Sequence, residues 1–492
     1  MADAENAPRL NRRELLAGAV GVAAFGAGAR RAAAADAGQW SPEYIQSIAG
    51  TEQIDTAAEC AKVVPLNTKG RLTYWYVGPN DATPDIEKQT EAQFWAAWAK
   101  TYPNITVERQ NLDYNQMLNK LRTAALGNAA PMVAKMPILW GVEFAAKGQL
   151  RPFKPEDAGY SSDDYWPGAM KSVTYRGSVF GIPTNNETMA LIWNAHLFEA
   201  AGLDPEKPPP SWDDLVLYAK QIKDRTGKNG YGLVARVNAG NTPFRFMPQL
   251  WAYGGGALDE AEANPSYQKI MINNAGSRAA LQAAVDMYVR DHSAPVSALT
   301  NTQTENEDPF IAGQLGMMIG HPSEYAVMLD RARKATGDDK TVADRVVEGI
   351  RYGLVPTGPA RRAIVFGGSN LHVFDPKVID GGRLDEDAVR AFAAFSTGPE
   401  WSGRLLWASS NPSHRRGFRT IWMKERLQQT KFLNVTTSML PSGIPFPVIP
   451  ESGEIMNIVV PEMMQNALTR KMTVAAATDD AARKIKGLLS GL

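Results

Sequence analysis

The chain has 492 residues with 52 Lys and Arg against 52 Asp and Glu, so its formal net charge is zero. That balance lacks the basic surface nucleic acid demands, and the length exceeds what one hydrophobic core ordinarily serves, so two lobes are expected. A single cysteine, Cys60, excludes an intrachain disulfide and reads as a small buried residue without chemistry.

Residues 1–35 read as an export signal. Arg12-Arg13 precede a Gly/Ala-rich apolar run over 15–29, and residues 32–35 supply the small side chains of a cleavage site. The paired arginines, followed by Glu14-Leu15-Leu16, fit a twin-arginine signal, as do Arg30-Arg31 behind the run. The run is too short and glycine-rich for a membrane span. A periplasmic location is expected.

Residues 36–69 read as an extension with short helices near 44–49 and 55–63, a strap packed on one lobe. The first strand is 72–77, ended by Gly78-Pro79-Asn80-Asp81. A helix follows over Asp85–Thr101 with Phe94, Trp95 and Trp98 on one face. Residues 105–108 and 133–136 are the next strands, alternating with helices Tyr114–Leu126 and 140–147. This alternation predicts an α/β class with a mostly parallel, doubly wound sheet. Residues 174–182 are β-rich with a hairpin signal at Arg176-Gly177. Pro183 ends them, and 184–187 form a polar corner. The continuous apolar run 189–193 suits a strand buried on both faces. A lone carboxylate, Glu187, between two buried strands calls for a ligand or an ion pair. Ser211-Trp212-Asp213-Asp214 matches a capping box. Further on come a strand at 230–234, helices at 246–253 and 279–291, a helix turn feeding a strand over 308–319, and a strand over 366–374. Helices at 385–396, 454–469 and 474–489 complete the chain.

No histidine among His196, His292, His321, His372 and His414 belongs to an H-E-x-x-H pattern, and no Cys/His cluster suits zinc. Neither a phosphate-binding G-x-x-x-x-G-K-S/T loop nor a G-x-S-x-G elbow occurs. Aromatic residues are plentiful, and flat rings suit the C–H faces of a sugar whose hydroxyls need polar partners.

The stretch 175–215 resembles the periplasmic solute-binding proteins of the maltose-binding type, which feed sugars to ABC importers. That family carries G-x-x-Y/F-G-I-P, a polar corner, L-I-x-N-x-x-L-F-x-x-A-G-L and S/T-W-D-E-L, matched here by residues 177–183, 191–203 and 211–215. The resemblance implies a two-lobed periplasmic-binding-protein fold with a cleft between the lobes. It implies crossings at 186–189, 368–372 and 410–414, hence lobe one as 36–187 plus 370–411 and lobe two as 188–369 plus 412–492. A carbohydrate or polyol would bind in the cleft and pass to an ABC permease at the membrane, carried by a monomer with no covalent chemistry and no cofactor. An exported enzyme sharing the fold, or a binder of an anionic solute such as a sugar acid through Arg245 or Arg415, are the alternatives.

The same resemblance supplies candidate ligand contacts. Glu187 falls at a ligand-contacting carboxylate, Phe244 at a stacking aromatic, and Asn80 at a polar contact after the first strand. Ser323 and Tyr325 fall where the family has G-P-W-x-W. Asn186, Gly368, Ser369 and Asn370 lie on the implied crossings. Trp140, Phe244, Trp251 and Tyr325 are expected to include at least two ring platforms. Trp140 opens a helix after the third strand, at the strand ends where such sheets bind ligands. Core packing is the rival reading for Trp251, and Tyr253 joins the contacts. Three departures break the linear-glucan pattern, so maltose is not expected: Pro131-Met132-Val133 replaces Pro-Asp-Val, Ser323 replaces the first tryptophan of the pair, and Asn457 replaces a late stacking tryptophan.

Overall fold

The computed structural model describes residues 40–490 apart from 81–82, 84, 238–240, 303 and 408–409. The export signal, residues 36–39 and Asp81 therefore lie outside the described residues. The described strands are β1 Gly70–Tyr76, β2 Ile105–Asn111, β3 Val133–Pro137, β4 Thr174–Tyr175, β5 Ser178–Val179, β6 Ile182–Glu187 and β7 Ala190–Asn194. After them come β8 Asn229–Tyr231, β9 Leu315–Gly320, β10 Ile350–Gly353, β11 Ile364–Val365, β12 Gly367–Val373, β13 Asn411–Pro412 and β14 Gly443–Ile444. They build a six-stranded sheet in the order β13-β6-β12-β3-β1-β2 and a four-stranded sheet in the order β10-β7-β9-β8. The pairs β11-β14 and β4-β5 form small ribbons.

Burial follows the residue pattern. Leu72, Tyr74 and Tyr76 alternate into the core from β1, whereas β7 and β9 are buried at every position. Each sheet has its own core. Phe94, Trp98, Phe392 and Phe395 pack on the six-stranded sheet, and Trp212, Phe246, Trp251 and Met464 pack on the four-stranded one.

The expected mostly parallel order holds only in part. β3, β1 and β2 run parallel, but β12 is antiparallel to both β3 and β6, and β13 is antiparallel to β6. In the four-stranded sheet only β8 and β9 pair in parallel. The cause is the path between the sheets. β6 ends where the chain leaves the large sheet and β12 begins where it returns, so their short links force opposite directions, while parallel neighbours need a long crossover.

Thr188 and Met189 alone carry the chain from β6 to β7. Thr188 Oγ1 donates to the Thr436 carbonyl. The return is shorter still. Ile364 and Val365 belong to the core of the four-stranded sheet, and one residue, Phe366, precedes β12. Residues 368–372 thus run inside β12, and the change of sheet falls just ahead of them.

A third cluster holds the N-terminal extension. Trp40 packs edge-on against Trp166 and Phe418, with ring centroids 4.8 and 5.4 Å away. Helix Pro42–Ile48 lies on helix Leu433–Ser438. Gly50 and Glu52 donate from the backbone to the carbonyls of Thr420 and Arg419 at 3.0 and 2.9 Å. Arg416 reaches Glu52 at 2.6 Å and Glu59 at 3.4 Å. Tyr102 Oη donates to the carbonyls of Cys60 and Val64 at 3.2 and 3.0 Å. Cys60 is buried, which pushes its thiol up to about 12.

Rings rather than ions hold this strap, because Arg416 and its partners are part-exposed and such pairs contribute at most about 1 kcal/mol. Trp40→Ala should lower stability by about 3 kcal/mol in urea unfolding, and Arg416→Ala by less than about 1 kcal/mol. The reverse ranking would show that the charges carry the strap.

Candidate functional site

Glu187 closes β6, and side-chain alternation puts it on the same face as Asn185. Ser410 Oγ donates to Glu187 Oε1 at 2.7 Å, while Asn185 Nδ2 lies 3.4 Å from that oxygen and donates to Ser410 Oγ at 3.0 Å. Among the described residues no Lys or Arg stands within ion-pair distance of Glu187, so the corner carries no salt bridge between the sheets. Its field is nevertheless felt by Tyr114, Lys135, His321 and Arg426.

Those four groups come from distant parts of the chain. Lys135 sits mid-β3, where burial pushes its ammonium down to about 8 against the pull of Glu187, Glu87 and Glu91. Arg426 is fully buried, and the same cause pushes it down to about 9. Its guanidinium donates to the carbonyls of Trp407, Leu406 and Gly403 at 2.5, 3.0 and 3.4 Å, which pins the loop 403–407. His321 precedes helix Pro322–Lys334. Burial holds its imidazole below the usual range, Glu187 raises it, and Arg245 lowers it further. Tyr114 is 54 % exposed overall, yet its phenol is raised first by desolvation and then by Glu187. Its ring lies 5.3 Å from that of Trp140 at an interplanar angle of 45°.

The glycines of β12 set how closely the strands approach. Gly368 has φ +127°, and a Cβ there would lie 2.0 Å from the Asn185 carbonyl oxygen. Neither that dihedral nor that approach admits a side chain. At Gly367 a Cβ would come 3.5 Å from Glu187 Cβ and 3.6 Å from Phe244 Cε1, so the Phe244 ring edge reaches the corner from the other sheet's core. Phe244 is braced by Phe446 at 5.1 Å. Asn186 is fully buried between its register neighbours Gly368 and Asn411. Both of its amide atoms lack a partner among the described residues, as does Asn411 Nδ2.

The structure therefore brings together Glu187, Asn186, Gly368 and Phe244, with Trp140 joined through Tyr114. Ser369 is half-buried beside them, its carbonyl accepting from Thr184 Oγ1 at 2.8 Å. Asn370 is buried and donates to Ser172 Oγ at 3.1 Å. The remaining candidates have other partners. Trp251 is a correction: it is wholly buried, with its indole N–H on Glu260 Oε1 at 2.9 Å. Its helix, Asn241–Ala252, is buried at every position from Arg245 to Ala252, so a platform is left only in the first turn, at Phe244. Arg245 is buried in an ion pair with Glu324 at 3.3 Å and bonds Asn241 Oδ1 at 3.0 Å. Burial raises the Glu324 carboxyl, and Arg245 pulls it back. Tyr253 donates to Asp213 at the start of helix Trp212–Thr226. Tyr325 packs edge-on to Phe432 at 5.5 Å under the Lys431 ammonium. Ser323 is half-buried in the first turn of its helix. Arg415 donates to the Asp163 carbonyl. Asn80 is exposed in a turn closed by Thr83.

Sequence reasoning missed Lys135, Ser410, Tyr114, His321 and Arg426 as members of the corner. Lys135 had a signal, a lone charge inside an apolar strand. Among the described residues no cluster of three or more His, Cys, Asp or Glu could hold a metal ion, and no helix is long and apolar enough to cross a membrane.

The model of the bacterial extracellular solute-binding protein family matches residues 80–402, well over half of the chain. The chain belongs to that family. Its members are extracellular binding proteins rather than enzymes, and their two-lobed α/β architecture is the one built here on two sheets. The mannitol-binding protein of Pseudomonas aeruginosa is 24 % identical over 461 residues, covering 87 % of this chain and 97 % of that one. The cyclic alpha-maltosyl-1,6-maltose binding protein from Arthrobacter globiformis shares the fold with TM-score 0.68 at 20 % identity, over 86 % of this chain and 100 % of that one. An ABC transporter solute-binding protein from Thermotoga lettingae, bound with alpha-D-tagatose, shares it with TM-score 0.63 at 22 % identity, over 86 % and 100 %.

Gly368→Ala should cost at least about 2 kcal/mol, since the strained dihedral and the Asn185 contact both oppose a Cβ. Urea unfolding measures this, and a wild-type midpoint would refute the close approach of β6 and β12.

Proposed function

We propose that the protein captures a carbohydrate or polyol at the Glu187 corner and delivers it to an ABC permease. One observation carries the reading. In a chain of this family, a carboxylate stands where the strand leaves its sheet, its Oε1 held by Ser410 and Asn185, with no Lys or Arg at ion-pair distance among the described residues. Such a carboxylate is a ready acceptor for solute hydroxyls, and Phe244 and the Trp140–Tyr114 pair offer apolar faces to the C–H side of the ring or chain. The names of the mannitol-binding and tagatose-bound proteins support this solute class.

The family motifs suggest lobe one as residues 36–187 plus 370–411 and lobe two as 188–369 plus 412–492; because 367–369 already pair with β6 in the large sheet, this reading moves that boundary to Phe366. Thr188–Met189 and Phe366 serve as hinge points. A solute touching both lobes binds the closed form better and shifts the population towards it. The Arg12-Arg13 leader sends the protein to the periplasm by the twin-arginine route, where it acts as a monomer and docks on the permease.

Glu187→Gln keeps the shape of the side chain and removes its charge. Titration calorimetry against sugars and polyols should show binding weakened about tenfold or more, as for loss of a hydrogen bond to a charged group, with unfolding unchanged. Unaltered affinity would remove Glu187 from the site. Saturating solute should also reduce the radius of gyration in small-angle scattering, and superimposable curves would count against closure.

A further inference from the structure

The N-terminal extension is anchored at both of its ends. Its later half belongs to the large sheet: Cys60 and Val64 sit in that sheet's core, and helix Thr56–Ala61 lies on helix Glu386–Thr397. Its earlier half lies along residues 418–438. Trp40, Ile45 and Ile48 are buried with Phe418 and Leu433, and Gly50 and Glu52 bond to the carbonyls of Thr420 and Arg419. The family motifs give residues 412–438 to lobe two, yet the extension ties them to the large sheet. Arg426 does the same from within, through its bonds to the carbonyls of Gly403, Leu406 and Trp407.

Helix Leu433–Ser438 also reaches the four-stranded sheet. Phe432, just ahead of it, stacks on Tyr352 of β10 with ring centroids 4.2 Å apart and 9° between the planes. Val435 packs on the core that holds Ala190 and Ile192 of β7. Phe432 has φ +68°, a left-handed backbone uncommon for an aromatic residue. Such a conformation persists where packing on both sides fixes it. The same helix accepts the Thr188 hydroxyl at the Thr436 carbonyl. It is thus gripped by the extension on one side and by the link and the four-stranded sheet on the other.

Strand alternation decides where this helix lies. Glu187 and Asn185 project from one face of β6 and Asn186 from the other. Asn411 pairs with Asn186 and shares its face, while Ser410 shares that of Glu187, as its bond to the carboxylate requires. Thr437 Oγ1 donates to Asn411 Oδ1 at 2.6 Å. Helix Leu433–Ser438 therefore lies behind β6, on the face opposite the carboxylate.

We propose that the extension is a brace that opposes closure of the lobes over Glu187 and so sets solute affinity. This rests on the reading of the corner as a solute site with Thr188–Met189 as its hinge. A rotation that brings the lobes together over the carboxylate spreads them behind β6, the side that the helix bridges. Spreading must unstack Phe432 from Tyr352 and break the Thr188 bond, or pull the helix off the extension. The buried rings around Trp40 resist the second route. The penalty falls on the closed form, and solute affinity is lowered by the corresponding factor.

Two variants release the brace at opposite ends. Trp40→Ala loosens the extension. Phe432→Gly removes the stack and suits the positive φ, which keeps the test open if Trp40→Ala does not fold. Spin labels on Leu126→Cys and Leu217→Cys, exposed positions on the two lobes, report the separation of the lobes by pulsed electron spin resonance. Cys60 stays unlabelled because it is buried and its thiol is pushed up. Before any solute is added, both variants should widen the distribution of label separations, whereas Arg416→Ala should not. In titration calorimetry with glucose, galactose, xylitol and sorbitol, the compound that binds the wild type should bind both variants about threefold or more tightly. Arg416→Ala should bind it as the wild type does. Unchanged widths would overturn the brace, and so would variants that bind the solute no more tightly than the wild type. Widths that grow as expected, with none of the four compounds bound, would leave the brace standing and count against the carbohydrate reading.

Discussion

β6 and β12 run in opposite directions through the same gap between the sheets, and their contact positions the rest of the site. The register pairs Gly367 with Glu187, Gly368 with Asn186 and Ser369 with Asn185, then shifts before Asn370. Such an irregularity bends a strand and re-aims its side chains. It occurs beside the glycine whose positive φ lets the Asn185 carbonyl come close. Asn185 and Glu187 then project together, and β13 on the far side of β6 delivers Ser410 to them. The carboxylate is held by groups from two separated segments before any solute arrives, which is preorganisation in the literal sense.

The second constraint is charge. Lys135, Arg426, His321 and the Arg245–Glu324 pair are all taken from water near the gap between the sheets, and in each the neutral form gains. A fold that needed only stability would fill such places with apolar residues, because buried ionic groups seldom repay their desolvation. Their concentration where the chain passes between sheets therefore points to binding. The paired and the unpaired cations differ in kind. Arg245 has a carboxylate at hand, Arg426 has three carbonyls, and Lys135 has neither.

Local chemistry was legible in the sequence wherever neighbours in the chain decide it. The capping box at Ser211 and Asp214 forms, with Ser211 Oγ accepting from Asp214 N at 3.1 Å. The apolar run after the corner is β7, buried throughout, and the extension folds into two short helices. Residues 184–187 proved to be the end of β6 rather than a bare turn, because β12 and β13 supply pairing partners on either side. Long-range facts were beyond reach. Ser410 meets Glu187 across 223 positions, and no local pattern encodes that pairing. Strand direction was misjudged because alternation of strand and helix says nothing about where the chain changes sheet. Trp251 could have faced either a solute or the core from its helix, and it faces the core, since that helix is buried at every position from Arg245 to Ala252. Arg426 offered no sign at all, since an arginine in a helix ordinarily reads as surface.

The extension enters the same network. Thr188, the first residue of the two-residue link, donates to the Thr436 carbonyl, and Thr437 Oγ1 donates to Asn411 Oδ1 at 2.6 Å. Helix Leu433–Ser438 thus grips both the link and the edge strand of the large sheet. Its other side meets helix Pro42–Ile48, which Trp40 anchors among Trp166 and Phe418. A rotation of one sheet against the other about Thr188–Met189 must break the Thr188 bond or carry helix Leu433–Ser438 with it. In the second case it works against the aromatic cluster of the extension. Buried rings yield less readily than exposed ion pairs, because close-packed side chains move between discrete arrangements rather than deforming smoothly. The strap's anchoring therefore bears directly on how freely the link can turn.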